Sequence, residues 1–367
     1  MTLQNKIEER VNSNSIRSLG RIDTDLEDFC SNDYLGFARD KQLHEINIES
    51  FKKYIENGST GSRLISGNSN LAIQLEEKLS VFFDAEAALL FNSGYDANLG
   101  IISSVAQRGD TIVFDERSHA SIRDGIRLSN AKALKFKHND IEDLNDKLKK
   151  AQGQIYVIIE AVYSMDGGET PLDNILKISE LYGAKVIIDE AHSLGVIGKN
   201  GNGLSMSLNY HEKIFARIYT FGKAMGCHGA VVVGSEELKT YLVNFARPLI
   251  YTTFLPPHSL LMINNAFDHL SLSLERIELL INRSILFDET LELKRAASHP
   301  IKAILIPGNE NVKKIEEQLI SKGFGVKAIL KPSVEEGFER LRVCIHSFNS
   351  EKSIVQLAKQ IKSYQLN

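Results

Sequence analysis

Two residues that could act together in chemistry, Asp189 and His192, follow directly after the apolar run 186–188 in the sequence VIIDEAH. A carboxylate at the end of a buried strand is costly unless it meets a cation. One such cation is the Mg²⁺ of a helicase, but a helicase also needs a phosphate loop of the form G-x-x-x-x-G-K-[ST]. The sequence has none, because its two Gly-Lys pairs continue as GKN (198–200) and GKA (222–224). The helicase interpretation fails, which leaves the protonated ring nitrogen of pyridoxal phosphate (PLP), a helix cap or a structural ion pair.

A lysine 34 residues beyond Asp189 favours the cofactor among these alternatives. Lys223 follows the apolar run 217–221 and stands between small residues in TFGKAMG. A lysine that forms an imine must first lose a proton, and desolvation beside a buried ring helps it do so. Asp189 would keep the pyridine nitrogen protonated and the ring an electron sink, with His192 within reach of the phenolic oxygen. We therefore predict that PLP is held as a Schiff base on Lys223.

Other side chains and backbone groups could complete this site. Thr220 precedes the lysine by three residues and could donate a hydroxyl hydrogen bond to the cofactor phosphate. In LLFNSGYDANLG (89–100) a strand runs into Gly94 and Tyr95 at the start of a helix, where exposed N–H groups suit a phosphate. His119 would lie over the ring face, stack on it and later hydrogen-bond a reacting carbonyl. Standing alone, the segment 89–100 is about as well explained by an ordinary strand–turn–helix, and a single histidine is more often a surface residue or a satisfied core residue.

Short apolar runs alternate with amphipathic stretches from about residue 85 to residue 234, which predicts a mostly parallel sheet buried on both faces. The apolar runs are 87–91, 111–114, 155–160, 185–190, 217–221 and 230–234, and helices are predicted at 97–107, 141–151 and 174–182. In such sheets ligands bind at the carboxyl ends of the strands, where the residues above lie.

The predicted organisation is an N-terminal arm, a large α/β domain and a small α+β domain. The arm covers residues 1–35, the large domain 36–257, and the small domain 258–367. The small domain begins with a long helical stretch over about 258–297. Two strand–helix pieces follow it, at 302–306 with 309–322 and at 342–346 with 351–363.

Composition restricts the partners and the compartment. The 367 residues carry a formal net charge of −4 with both signs mixed along the chain, so nucleic acid is not an expected partner. The three cysteines are far apart and have neither metal-ligand spacing nor a disulfide framework, and no metal site is expected. No apolar run approaches the roughly 18 residues of a membrane span. A cytoplasmic protein without a membrane partner is expected.

Taken together and in this order, the motifs resemble the α-oxoamine synthases, a family with the aspartate-aminotransferase fold (PLP fold type I). The resemblance covers nearly the whole chain, so the collinear order is hard to obtain by chance. The motifs that carry it are FCSNDYLGF (29–37), GSTGSRLISGNSNLAIQLEEKL (58–79), SHAS (118–121), FKHND (136–140), EAVYSMDGG (160–168), DEAHSLGVIG (189–198), TFGKAMG (220–226), FARPLIYTTFLPP (245–257) and RLR (340–342).

The resemblance implies a role for individual residues. Lys223 is similar to the Schiff-base lysine and proton-transfer base, Asp189 to the pyridinium partner and His119 to the ring-stacking catalytic histidine. The other implied cofactor contacts are Gly94, Tyr95, Ser164, His192 and Thr220, together with Thr252 and Thr253, which in the family reach the phosphate of the neighbouring subunit. A homodimer with its active site at the subunit interface is therefore implied. The implied substrate contacts are Arg342, which clamps the amino-acid carboxylate, with Ser333 and Arg17.

Members of the family join an amino acid to an acyl-CoA thioester and release CO₂ and CoA, which leaves an aminoketone. RLISG, the HND triplet and RPLIYTT most resemble members of the biotin pathway, which take L-alanine and a pimeloyl thioester from CoA or an acyl carrier protein. Ala72 and Glu335 depart from the pattern, where the family usually has histidine and proline. The alternatives are sister activities on glycine with acetyl-CoA or on serine with a long acyl chain, an ordinary aminotransferase, and a non-catalytic subunit or regulator. The last should lack the lysine or the arginine, and this sequence has both.

Overall fold

The computed structural model describes residues 2–17, 19, 25–293 and 299–365. The chain forms two compact units. The large unit comprises Gly36–Tyr163 and Gly168–Ile277, and the small unit comprises Met1–Leu35, Ser164–Gly167 and Glu278–Asn367. Among the described residues, no helix is both long and apolar enough to cross a membrane.

The large unit is built on a seven-stranded sheet. Its strands are β2 (Ala87–Phe91), β3 (Thr111–Asp115), β4 (Lys132–Phe136), β5 (Ile155–Glu160), β6 (Lys185–Asp189), β7 (Ala216–Thr220) and β8 (Ala230–Gly234), after a short β1 (Glu27–Asp28) in the small unit. The order across the sheet is β2-β8-β7-β6-β5-β3-β4. Only β8 runs antiparallel to its neighbours, so the predicted mostly parallel sheet is confirmed.

Helices cover both faces of this sheet. After α1 (Leu3–Asn12) of the small unit, those of the large unit are α2 (Lys41–Phe51), α3 (Asn70–Phe82), α4 (Gly94–Val105), α5 (Ala120–Leu128), α6 (Ile141–Leu148), α7 (Leu172–Leu181), α8 (Leu204–Ser207), α9 (Glu236–Phe245), α10 (Arg247–Ile250) and α11 (Pro257–Ser271). Alternate residues of β5 enter two separate cores, with Ile158 in one and Val157 and Ile159 in the other. Burial on both faces explains why this strand is apolar throughout.

The small unit contains a three-stranded antiparallel sheet in the order β11-β12-β9. Its elements are α12 (Glu275–Thr290, which begins in the large unit), β9 (Ile301–Leu305), α13 (Asn309–Ile320), β10 (Phe324–Gly325), β11 (Lys327–Ile329), β12 (Arg340–Cys344) and α14 (Glu351–Gln365). β1 pairs in parallel with β10, and Phe29 joins the core formed by Phe287, Leu341 and Ile354.

The prediction of one long helical stretch over 258–297 is wrong in one respect. Residues 272–274 interrupt it, so it forms α11 and α12 as separate helices, and its last residues, 294–297, lie outside the described part of the chain. The sequence gives little warning, because the interruption, Leu272-Ser273-Leu274, contains neither glycine nor proline.

Candidate active site

The site in the large unit lies at the carboxyl ends of three neighbouring strands. β5 and β6 pair in parallel with Glu160 opposite Asp189, so the two acidic side chains end at the same edge of the sheet. β7 pairs with β6 in parallel, with Ile218 opposite Asp189, and Lys223 follows three residues after the end of β7. Parallel strands present their carboxyl ends together, which is where ligands bind in such sheets.

Asp189 is buried and its carboxylate is held by two hydrogen bonds. The Asn98 side chain donates Nδ2–H to Asp189 Oδ2 over 2.7 Å, and the Ala191 backbone N–H donates to Oδ1 over 2.9 Å. Asn98 also donates to Ser121 Oγ over 3.1 Å. Two donors stabilise the ionised carboxylate and orient it, as a partner for a ring cation requires.

Glu160 is a second buried acid beside Asp189. Its Oε1 accepts the backbone N–H of His119 over 2.5 Å. Burial raises the pKa of Glu160 well above its usual value, and the negative charge of Asp189 raises it further. The protonated, neutral form of Glu160 is therefore favoured.

His119 begins α5 and its ring is oriented by the first turn of that helix. The Ser121 backbone N–H donates to His119 Nδ1 over 3.2 Å, and Ser121 Oγ lies 2.7 Å from the same nitrogen. Burial lowers the pKa of His119, the charge of Asp189 opposes this shift, and the positive charge of Lys223 adds to it. A neutral imidazole with Nδ1 as acceptor carries its proton on Nε2, from which it can donate to a reacting oxygen.

Lys223 lies in a tight loop between β7 and β8. Phe221 N–H donates to Gly229 O over 2.9 Å, and Gly226 N–H donates to Lys223 O over 2.9 Å, which closes a turn around the lysine. The charges of Lys223 and Asp189 both act on the pKa of His119 and on that of Glu160. The pairing of β5 with β6 and the bond from His119 N–H to Glu160 place Asp189, Glu160 and His119 at one edge of the sheet, and Lys223 lies in the loop after the neighbouring strand β7.

The N-terminus of α4 provides an anion-binding group next to β7. Ser93 caps this helix by accepting the N–H of Asp96, and the preceding amides of Gly94 and Tyr95 belong to the first turn, which leaves its N–H groups without intrahelical acceptors. A Cβ at Gly94 would lie 3.2 Å from both Cβ and Oγ1 of Thr220, so the helix end and this hydroxyl are close neighbours. The predicted helix start at residue 97 was three residues too late.

Asn92, just before this helix, contacts Thr252 and Thr253, the two residues predicted to reach the phosphate bound by a neighbouring subunit. Its Nδ2 donates to Thr252 Oγ1 over 3.3 Å and to Thr253 O over 2.7 Å. These contacts lie within one chain, and the reach of Thr252 and Thr253 to a neighbouring subunit stays a prediction. His192 is buried in the turn after Asp189, and its hydrogen bond to a phenolic oxygen likewise stays a prediction.

The donor set of the large unit fits PLP. Asp189 offers a buried, oriented anion for the ring nitrogen, Lys223 an amine, and the α4 N-terminus with Thr220 a set of donors for a phosphate. The Oδ1 atom of Asn98 is buried without a hydrogen-bond partner among the described residues, which leaves an acceptor beside this anion.

The predicted substrate residues lie in the small unit, as does Ser164. Arg342, on β12, donates from Nε to Ser164 O over 2.8 Å and from Nη2 to Asn32 Oδ1 over 2.9 Å. Arg17 donates from Nη2 to Ser333 Oγ over 3.0 Å. The structure thus pairs these four residues within the small unit, and their contacts with cofactor or substrate remain predictions.

Sequence reasoning missed Asn98, Glu160, Ser121 and Asn32 as members of these arrangements. Glu160, Ser121 and Asn32 lie inside motifs that carry the family resemblance. Asn98 lies in the segment 89–100, which was noted for its strand–turn–helix pattern. Asn98 also lies four residues after Gly94, hence one helical turn away from the predicted phosphate site. That spacing could have identified it.

The chain matches the family model described as "Aminotransferase class I and II" over residues 24–361. It is 34% identical to 8-amino-7-oxononanoate synthase of Lysinibacillus sphaericus over 340 residues, which cover 91% of this chain and 87% of that protein. Its structure is similar to serine palmitoyltransferase from S. paucimobilis with a bound PLP–myriocin aldimine (TM-score 0.90, 26% identity, 99% of this chain and 96% of that one). It is also similar to 8-amino-7-oxononanoate synthase from Francisella tularensis (TM-score 0.81, 31% identity, 94% and 98%).

These similarities confirm three predictions made from the sequence. They are the PLP fold type I architecture, the PLP cofactor and the assignment to an enzyme family of acyl transfer. The choice of amino acid and acyl chain is a separate matter, because the similar proteins differ in their names on this point.

Proposed function

Because the chain belongs to the aminotransferase class I and II family, and within it to the PLP-dependent α-oxoamine synthases, we propose that it makes 8-amino-7-oxononanoate from L-alanine and a pimeloyl thioester. CO₂ and the thiol leave in this reaction. The observation that carries the proposal is the identity to proteins named 8-amino-7-oxononanoate synthase, 34% over most of the chain, against 26% to serine palmitoyltransferase.

When bound, PLP supplies an aromatic ring that delocalises negative charge from the α-carbon of the amino acid. Asp189 is proposed to keep a positive charge on the ring nitrogen. The hydrogen bonds from Asn98 and Ala191 orient its carboxylate for this role. Lys223 lies near enough to His119 to act on its pKa and is proposed to anchor the cofactor and to take the α-proton.

His119 is proposed to act on the acyl thioester. Its neutral imidazole, oriented by Ser121, has a proton on Nε2 that can be donated to the carbonyl oxygen as the new carbon–carbon bond forms. His192 is proposed to hold the phenolic oxygen, and Gly94, Tyr95 and Thr220 the phosphate. Arg342 is proposed to bind the amino-acid carboxylate in a bidentate manner, Ser333 and Arg17 to contact the substrate, and Ser164 to contact the cofactor.

A homodimer is part of the proposal. The side chains of Ile65 and Tyr251 are 86% and 73% exposed, and the backbone bond from Phe254 N–H to Gly61 O (3.0 Å) joins their two segments. Large apolar side chains exposed on adjoining segments are typical of an interface. They flank residues 252–253, which the family resemblance assigns to the neighbouring active site. Sedimentation velocity should give a dimer for the native chain and a monomer, with weaker PLP retention, for Tyr251→Asp; a native monomer would contradict this part.

A second candidate function is the condensation of L-serine with a long-chain acyl thioester. The observation that favours it is the high similarity to serine palmitoyltransferase, whose TM-score of 0.90 exceeds the 0.81 for the Francisella tularensis enzyme. The cytoplasm is the proposed compartment for either activity, in keeping with three cysteines that are all free thiols.

The test is direct measurement of product with each substrate pair. Purified protein should absorb visible light, lose that absorption with borohydride, and fail to show it as the Lys223→Ala variant. L-alanine, glycine and L-serine are then mixed with the holoenzyme, and pimeloyl-, acetyl- and palmitoyl-CoA are added in turn, with products identified by mass spectrometry. The proposal expects a spectral response to L-alanine and the aminoketone from pimeloyl-CoA. A response to serine or glycine with none to alanine would overturn it in favour of a sister activity.

A further inference from the structure

A closed circuit of buried polar contacts lies beside Arg342 in the small unit. His346 is completely buried, and its Nε2 lies 3.0 Å from Ser31 O and 3.2 Å from Ser31 Oγ. Its Nδ1 lies 3.1 Å from Asn349 Oδ1, and Asn349 Nδ2 donates to Asp28 O over 3.0 Å. Ser31 Oγ in turn donates to Asp28 Oδ2 over 2.7 Å, which closes the circuit.

The circuit fixes a turn that follows strand β1 directly. The Asp28 carboxylate accepts the N–H groups of Cys30 and Ser31, both over 2.9 Å, and so folds residues 28–31 into a turn. Among the described residues 25–28, the last two form the strand β1. A side chain that contacts Ser31 from a distant part of the chain restricts the turn in addition to the backbone bonds that Phe29 makes with Gly325 and Cys344.

Asn32 follows this turn directly and touches the guanidinium group of Arg342. Its Oδ1 accepts from Arg342 Nη2 over 2.9 Å and from the Tyr34 hydroxyl over 3.1 Å. The second bond that orients the guanidinium is from Nε to Ser164 O. The Tyr34 side chain also hydrogen-bonds to Arg342, so the orientation of the guanidinium group depends in part on where the turn places the Asn32 carboxamide.

His346 is joined to Arg342 along the chain as well as across the circuit. It lies two residues after β12, the strand that carries Arg342. The backbone N–H of Cys344 donates to Phe29 O, and that of Ser347 to Tyr34 O, both over 2.8 Å. These backbone bonds fix the end of β12 relative to the segment around Asn32, and the His346 imidazole contacts both segments.

We propose that His346 is a positioning residue for substrate: through the Asp28–Ser31 turn and Asn32, it holds the Arg342 guanidinium in the orientation that binds an amino-acid carboxylate. This inference rests on the proposed function, since it takes Arg342 as the carboxylate clamp. A bidentate pair needs both N–H groups aligned with both oxygens, and a small misplacement of a clamp is costly. His346 itself touches neither substrate nor cofactor in this scheme.

The experiment compares four variants of the holoenzyme in their binding of an amino acid and of the matching amino alcohol. His346→Leu removes all three ring contacts, and Asn349→Ala removes one of them. His346→Gln keeps a donor for Ser31, and Leu357→Ala is the control, since Leu357 is equally buried, in the hydrophobic core of the small unit, but lies outside the circuit. Affinities for L-alanine and L-alaninol are measured by visible titration, with thermal unfolding recorded in parallel.

We expect His346→Leu to weaken L-alanine binding about tenfold, as loss of part of a charge-assisted pair implies, and to leave L-alaninol binding within about twofold. Asn349→Ala should show a smaller loss of the same kind, His346→Gln should restore most of the affinity, and Leu357→Ala should lower the unfolding temperature without this selectivity. Equal losses for L-alanine and L-alaninol, or an equal loss in Leu357→Ala, would overturn the proposal.

Failure of the proposed function gives a different result. If the native enzyme responds to L-serine or glycine instead of L-alanine, the same comparison is made with that amino acid and its amino alcohol, and the positioning role is judged there. Arg342→Ala tests the premise separately: unchanged carboxylate binding in that variant would remove Arg342 as the clamp, and the role of His346 with it. Combined with Arg342→Lys, the His346→Leu change should be less than additive if it acts through the guanidinium.

Discussion

Replacing Gly226 by alanine should disrupt the loop that carries Lys223. Gly226 has a backbone φ of +61°, a left-handed conformation that L side chains rarely adopt. A Cβ there would lie 2.7 Å from the carbonyl carbon of Phe37 and closer still to the backbone nitrogen of Ala38. Because these obstacles are backbone atoms, no side-chain rotation relieves the contact. The loop, or the chain it packs against, must move.

The size of the effect follows from these two causes. The left-handed conformation costs about 1–2 kcal/mol for a residue with a Cβ, and overpacking against rigid neighbours costs about 1–3 kcal/mol. Together they reduce the free energy of unfolding by about 2–5 kcal/mol. At about 2–4 °C per kcal/mol for a domain of this size, the midpoint should fall by about 10 °C. Since the N–H of Gly226 donates to Lys223 O, the same displacement moves the lysine.

Gly222→Ala is the matched control in the same loop. Gly222 is adjacent to Lys223, yet a Cβ there would meet nothing nearer than Cys227 O at 3.7 Å. Its unfolding midpoint should stay within about 2 °C of the native value, as for a substitution without a clash. Thermal unfolding followed by circular dichroism gives the midpoints, and visible absorption gives the PLP retained. A native midpoint in Gly226→Ala, or a larger loss in Gly222→Ala, would refute the packing explanation.

Other predictions concern buried ionisable groups. Glu160→Gln should lower the free energy of unfolding by less than about 1 kcal/mol, because burial raises the pKa of this acid and the neutral amide keeps an acceptor for the His119 N–H. Glu160→Leu removes that acceptor and should lower it by about 1–3 kcal/mol, as measured by urea unfolding. Burial lowers the pKa of His346, so on acidification the unfolded chain binds a proton at a higher pH than the folded chain does. The free energy of unfolding should therefore decrease as the pH falls below about 6.5, by at most about 1.4 kcal/mol per pH unit. Melting curves recorded from pH 8 to pH 5.5 should show a smaller decrease in His346→Gln. An equal decline in both proteins would exclude this residue as the cause. Lys302→Met removes the 2.6 Å ion pair with the buried Asp288 carboxylate and should cost about 3–5 kcal/mol, while the double variant with Asp288→Leu should regain much of the loss. A single variant as stable as the native protein would contradict this.

The strands of the central sheet were predictable where burial is complete. The run 155–160 matches β5 at both ends, because both faces of this strand are covered and no polar residue interrupts the pattern. β4 was missed: it is an edge strand, and three of its five residues are exposed, including both lysines of KALKF. An edge strand that faces water has no apolar run to reveal it.

The candidate site was predictable to the extent that its chemistry is written in local sequence. Asp189 and Lys223 each follow a buried run closely, so their position at the sheet edge could be derived from the strands alone. Glu160 and Asn98 depend instead on the register of β5 against β6 and on the packing of α4, which bring together residues far apart in the chain. Tertiary pairing of this kind is not encoded in any short segment.

The pairing of β1 with β10 has a consequence for biosynthesis. Residues 27–28 leave the ribosome about 300 residues before their partners at 324–325, which at about 5–20 residues per second is a delay of tens of seconds. The large unit has nearly all of its chain available during that interval, whereas the nascent N-terminal segment has no strand to receive it. Chaperones should therefore bind the N-terminal segment throughout that interval. On stalled nascent chains, the same segment should remain sensitive to protease until residues 324–325 have been translated.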